Sequence, residues 1–167
     1  MHGLRLRNAA AARPRVCWPG MPRCDIATRH DIDGLLRHFY AGAMEDAAIG
    51  YLFTEVAHLD LEAHLPVIGN FWEAVLLQNP VYRGNPMRQH QALHALSALR
   101  AEHFQRWFVL WDASVDALFA GPVADEAKRR AAIVAEAMQH HLRIESPPEQ
   151  FGDAYRRALG LVATSDA

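Results

Sequence analysis

Apolar residues recur along most of this chain at steps of three and four, the spacing of one helix face, and strand-like alternation is weak. Ile32, Leu35, Leu36, Phe39, Tyr40 and Ala43 form the first stripe, with Thr28 or Asp31 placed to cap it. Gly50 interrupts the pattern, and Tyr51-Leu52-Phe53 begins a short turn-like segment. A second helix is predicted from about Leu61 to Leu77, with His64, Leu65, Ile68, Phe71, Trp72, Val75 and Leu76 along its stripe. Pro66 is tolerable only near the start of that helix, and Asn79-Pro80 ends it. The stretch from Tyr82 to Met87, punctuated by Gly84 and Pro86, reads as an ordered loop entering a short helix over about Met87 to Ala95. A long helix from about Leu99 to Phe119 carries Phe104, Trp107, Phe108, Trp111, Val115 and Leu118, and Gly121-Pro122 stops it. The last long helix runs from about Ala124 to Leu142 with Ala127, Ala131, Val134, Ala135 and Met138 facing inward. The pattern predicts an all-α chain.

Composition narrows the class. A chain of 167 residues, 51% of them hydrophobic, fits one domain with tails and a real core. A net charge of −2 gives no general case for nucleic acid or an anionic membrane as partner. The compact domain is expected over residues 28–145. Before it, Arg5, Arg7, Arg13, Arg15 and Arg23 precede the first acid, Asp25, as in a transit peptide. Pro14, Pro19, Gly20 and Pro22 break any helix there, so residues 1–27 are expected to be a disordered basic extension, or an upstream start with Met21 as the true beginning. Residues 146–167, with Phe151, Tyr155, Leu159 and Val162, are expected to be a tail that frays or docks as a short helix. Cys17 and Cys24 match no zinc or thioredoxin spacing, and a disulfide between them would close only a loop of the extension. No run approaches the roughly 20 apolar residues of a membrane span, and the expected compartment is the cytoplasm.

The chain lacks a His-Glu-x-x-His string, a phosphate-cradling glycine loop and a nucleophile elbow. A di-iron bundle would want paired Glu-x-x-His strings, but Glu102 and His103 are adjacent and Glu136 to His140 is a four-residue step. His140 and His141 do not share a helix face. What remains is His90, which follows the constrained Gly84-Asn85-Pro86 turn, together with Tyr40, Phe53, His64 and Trp107 elsewhere in the chain. One imidazole to bind a metal, and aromatic and polar groups to line a pocket, suit a haem site. His94, one turn on, and His103 compete with His90 as ligand.

The order of special residues sharpens this. Phe39-Tyr40, Leu52-Phe53, His64-Leu65, Asn70-Phe71-Trp72, Tyr82 to Met87 with His90, His103-Phe104 and Arg106-Trp107 follow one another over about residues 28–142. In this order the chain resembles a truncated globin, most closely the group III branch; the glycine pairs of the other groups are missing. The resemblance implies a two-over-two helical sandwich around a pocket for haem b. It implies His90 as the proximal iron ligand, Tyr40, His64 and Trp107 on the distal side, and Phe53 against the haem plane. Ile68, Phe71, Trp72, Met87, Phe104 and Phe108 are candidate apolar lining, and Tyr82 and Arg83, with Arg88 and Arg100 nearby, candidate rim groups. The implied function is reversible binding of O2, NO or CO at ferrous iron. NO dioxygenase-like or peroxidase-like turnover would draw on an external reductase, and no catalytic residue is assigned. A gas-sensing subunit and a non-haem metal-binding bundle are the alternatives.

Overall fold

The computed structural model describes residues 23–145 and 153–158, and among them all regular structure is helical. Six α-helices follow in order: α1 Arg29–Glu45, α2 Leu61–Leu76, α3 Pro86–Leu96, α4 Ala101–Leu118, α5 Pro122–His141 and α6 Asp153–Ala158. Helix α1 starts at a reciprocal cap: the Thr28 hydroxyl accepts from the Asp31 N–H at 3.2 Å, and the Asp31 carboxylate accepts from the Thr28 N–H at 2.8 Å. Both cap candidates therefore act together. All six residues of the first predicted stripe are buried.

Between α1 and α2 lies a π-helical segment, Leu52–Val56, where a turn was expected. Asp46 prepares it. Its carboxylate, 8% exposed, accepts from the Ala48 and Ile49 N–H groups and from Arg106 of α4 at 2.7 and 2.9 Å. Gly50 sits where a Cβ would strike the Met44 carbonyl, so the chain can turn there only without a side chain. Helix α2 is capped by Asp60 and carries Pro66 in its second turn.

Helices α1 and α2 pack on each other, as do α4 and α5, and the two pairs meet through α1 with α4 and α2 with α5. This is the two-over-two arrangement that the sequence led us to expect. Alanines at 124, 127, 131, 132 and 135 form the inner face of α5. Their small side chains leave room for the bulky face of α4, where Phe108 and Trp111 are fully enclosed.

Several elements differ from the sequence reading. Residues 23–27, expected to belong to a loose extension, are ordered. Ile26 is 2% exposed, the Cys24 carbonyl accepts from the Ala120 N–H, and Asp25 accepts from Val123 and Ala124 at 3.0 and 2.8 Å. Asp25 thus caps α5 from a distant part of the chain, which periodicity cannot reveal. Gly121-Pro122, read as a stop, is also a start: Gly121 takes φ +141°, and Pro122 occupies the first turn, where its missing N–H costs nothing. Cys24 is disulfide-bonded. In the tail, α6 is docked: Tyr155 is buried, with its hydroxyl donating to the Ala132 carbonyl at 3.0 Å and its ring edge-on to Phe108 at 4.9 Å. Residues 1–22, including the Met21 alternative, lie outside the described residues.

Candidate haem pocket

Helix α3 is the anomaly of the core. Asn85 caps it and Pro86 opens it, so its start is sharply defined. Yet none of its residues is buried, and it packs chiefly against α5. Its apolar residues Met87 and Leu93 reach only the edge of the core. An amphipathic helix held in this way leaves apolar surface facing inward and half covered, the condition for accepting a flat apolar group.

His90 is the polar residue among them. Its Nδ1 lies 2.8 Å from the carbonyl oxygen of Pro86, one turn back. A carbonyl only accepts, so Nδ1 carries the proton and Nε2 keeps its lone pair free. Burial pushes the His90 imidazole below its ordinary value, partly offset by that hydrogen bond, and so favours the neutral form that a metal needs. The competing histidines are committed otherwise. His94 Nδ1 accepts the Leu99 N–H at 3.0 Å, and His103 Nδ1 accepts the Arg100 N–H at 3.3 Å. A neutral ring whose Nδ1 accepts must hold its proton on Nε2 and cannot offer that nitrogen as a ligand. Sequence reasoning missed the orienting Pro86 carbonyl, although its place four residues before His90 at a helix start was legible.

A second polar cluster lies nearby. The Tyr40 hydroxyl and His64 Nε2 are 2.9 Å apart, and Phe53 of the π-helical segment meets Tyr40 edge-on at 5.8 Å. Burial raises the Tyr40 phenol well above its usual range. Burial, and then the nearby His90, lower the His64 imidazole, which places the two histidines within electrostatic reach of each other. Trp107 joins through Phe39, whose ring is 5.1 Å from Tyr40 and 5.9 Å from Trp107. The Trp111 indole donates to the Ala127 carbonyl at 3.2 Å, whereas the Trp107 N–H has no hydrogen-bond partner among the described residues.

The remaining candidates are distributed unevenly. Ile68 and Phe71 are partly buried on α2, and Phe71 meets Tyr82 edge-on at 5.3 Å. Trp72 and Phe104 are buried in the core, Trp72 with its face stacked on Trp111. Phe108 faces Tyr155 of α6 and is not among the Tyr40 cluster. Arg83 and Arg88 are exposed around the start of α3 without an ion-pair partner among the described residues, whereas Arg100 pairs with Glu102.

No family model matches the chain. A group 3 truncated hemoglobin of Campylobacter jejuni is 26% identical over 121 residues, which span 71% of this chain and 93% of that protein. The crystal structure of a group III truncated hemoglobin from Campylobacter jejuni superposes with a TM-score of 0.63 at 25% identity, over 72% of this chain and 94% of that one. The chain has the truncated-globin fold, and its resemblance is to the group III truncated hemoglobins.

Proposed function

We propose that this protein holds haem b between α3 and the α1–α2 side of the core, with His90 Nε2 on the iron, and binds a diatomic gas on the side of Tyr40, His64 and Trp107. The observation that carries the reading is the hydrogen bond from His90 Nδ1 to the Pro86 carbonyl, because it leaves a free, neutral donor nitrogen on a helix with half-covered apolar surface. The relatives' names support it. Arg83 and Arg88, exposed around the start of α3, would meet the carboxylates at the haem rim. When bound, the haem would supply the ferrous iron that takes O2, NO or CO.

The chain's own residues set how tightly the gas is held. With His64 as the Nε2–H tautomer, the imidazole donates to the phenol oxygen and leaves the Tyr40 proton for the gas. With the other tautomer, Tyr40 donates to His64. His64 is thus a positioning residue for Tyr40. The Trp107 N–H is a second donor. Turnover of nitric oxide or peroxide would draw on a separate reductase. Among the described residues no group of three or more His, Cys, Asp or Glu is arranged to hold a metal ion, which counts against the metal-bundle alternative. No described helix is long and apolar enough to cross a membrane.

The test is an absorption spectrum of the purified chain. A Soret band that shifts with dithionite and again with carbon monoxide is expected. A chain that folds but gives no such band with added haemin overturns the proposal.

A further inference from the structure

Four aromatic contacts make a continuous line through the core. Trp107 and Trp111 lie nearly parallel, 11° between planes and 5.9 Å between centroids. Trp111 and Trp72 stack at 17° and 4.3 Å. Trp72 then meets Phe71, and Phe71 meets Tyr82, each edge-on at 5.3 Å. One end, Trp107, is half-buried beside the Tyr40 cluster; the other, Tyr82, is half-buried at the surface; the two indoles between are 1% and 2% exposed. Core packing needs apolar bulk there. It does not need three indoles, the most easily oxidised neutral aromatic side chains, with their faces in register.

We propose that Trp107, Trp111 and Trp72 form a conduit for one-electron holes, carrying oxidising equivalents from the Tyr40 side of the pocket to Tyr82, the rim candidate that reaches solvent. The hydrogen bonds support this direction. The Trp111 N–H points at the Ala127 carbonyl, which is too weak a base to take its proton. An oxidised Trp111 therefore keeps its proton and passes the hole on. Tyr82 reaches solvent, so its phenol can release a proton to water when it gives up an electron, and the hole is trapped there. Phe71 acts only as a bridge, because a phenyl ring is too hard to oxidise to hold the charge itself. The oxidant is a peroxide reacting at the pocket. Reduction of hydrogen peroxide to two waters takes two electrons and two protons. Two passages along the stack supply the electrons from Tyr82, each releasing its phenol proton and leaving a phenoxyl. An external one-electron reductant of the ascorbate class, with a proton, restores the phenol each time. The peroxide source rests on the haem reading, whereas the conduit does not.

The experiment has two arms. In the first, azidyl radical is generated by pulse radiolysis with the full chain carrying Trp18→Phe; of the three indoles that remain, Trp107 is half-buried and the other two are enclosed. Azide anion and an indolyl radical form, and the indole proton passes to water. The indolyl absorption should then decay at a concentration-independent rate as phenoxyl absorption rises, the indole recovering its proton as the phenol loses one. Tyr82→Phe should abolish that phenoxyl, and Trp111→Phe should slow its appearance strongly; Trp72→Phe serves if the Trp111 variant does not fold. A phenoxyl that persists in Tyr82→Phe, or vanishes only in Tyr40→Phe, overturns the conduit. In the second arm, haem-loaded chain is treated with peroxide and a spin trap, and the adduct is mapped by peptide mass spectrometry. An adduct at Tyr82 that disappears in Trp111→Phe is expected, and an adduct there that survives in the variant overturns the route. A chain that takes up no haem sinks the haem reading and leaves the first arm to decide the conduit.

Discussion

At the scale of single residues, the decisive feature is which histidine nitrogen is free. On the proposed reading, His90→Gly should take up haem only weakly and with an altered spectrum while the chain stays helical. Added imidazole should restore the spectrum, because it fills the space of the missing ring; retention of the unaltered spectrum in the variant would remove His90 from its role. Tyr40→Phe removes a donor whose hydrogen bond to a partly charged ligand is worth roughly 1.5–3 kcal/mol, so O2 should leave about ten to a hundred times faster. Stopped-flow release rates equal to those of the parent would exclude that donor. The pH dependence follows chiefly from the half-buried imidazoles of His64 and His90. Burial lowers both below the ordinary value of 6.5. A group lowered on folding contributes stability above its unfolded value and loses it as pH falls through the folded one. Stability, and with it haem retention, should therefore be full above about pH 6.5 and decline below it. Pairing His90→Gly with His64→Ala should shrink that decline in thermal unfolding of the haem-free chain, leaving the part due to His103, whose imidazole burial also lowers.

At the scale of elements, the segment between α1 and α2 is held by one carboxylate. Asp46 joins two backbone N–H groups at the end of α1 to Arg106 of α4, and Arg106 depresses its pKa. Asp46→Ala leaves those donors without their acceptor and should cost about 1–3 kcal/mol in urea unfolding. Asp46→Asn should recover part of it, since an amide oxygen still accepts. Because Phe53 rides on the adjoining π-helical segment, the Ala variant should also disturb the Tyr40 surroundings, read as a change in O2 release. A π-helical turn of this kind is often found at functional sites, where it redirects side chains that a regular helix would place elsewhere.

At the scale of the whole molecule, the α4–α5 pair is held by segments outside the four core helices. Asp25 caps α5 from the N-terminal side, and Tyr155 closes the opposite side over Phe108 and Ala132. Tyr155→Phe should cost about 1 kcal/mol for the lost hydroxyl bond. Tyr155→Ala should cost up to roughly 3–5 kcal/mol and release α6, with faster amide exchange confined to α6 and the facing turns of α4 and α5. Exchange that quickens uniformly would mean that α6 is integral to the core and not a docked closure.

Helix number, approximate spans and the first cap were read from the chain, and the Asp60 and Asn85 caps, which the sequence reading passed over, rest on signals just as local. Periodic apolar residues, Thr28 with Asp31, Asp60, and Asn85 with Pro86 act within a turn or two of where they stand. The ordered string from Phe39 to Trp107 was enough to point to the truncated-globin fold. Side-chain commitments were not legible, because they depend on partners far away in sequence or on rotamers chosen by packing. Only the folded chain shows His94 and His103 bound to backbone N–H groups, Phe108 turned toward Tyr155, and Trp72 stacked on Trp111. The same holds for Asp25, which looks like part of a loose extension until α5 arrives from almost a hundred residues away to need its cap.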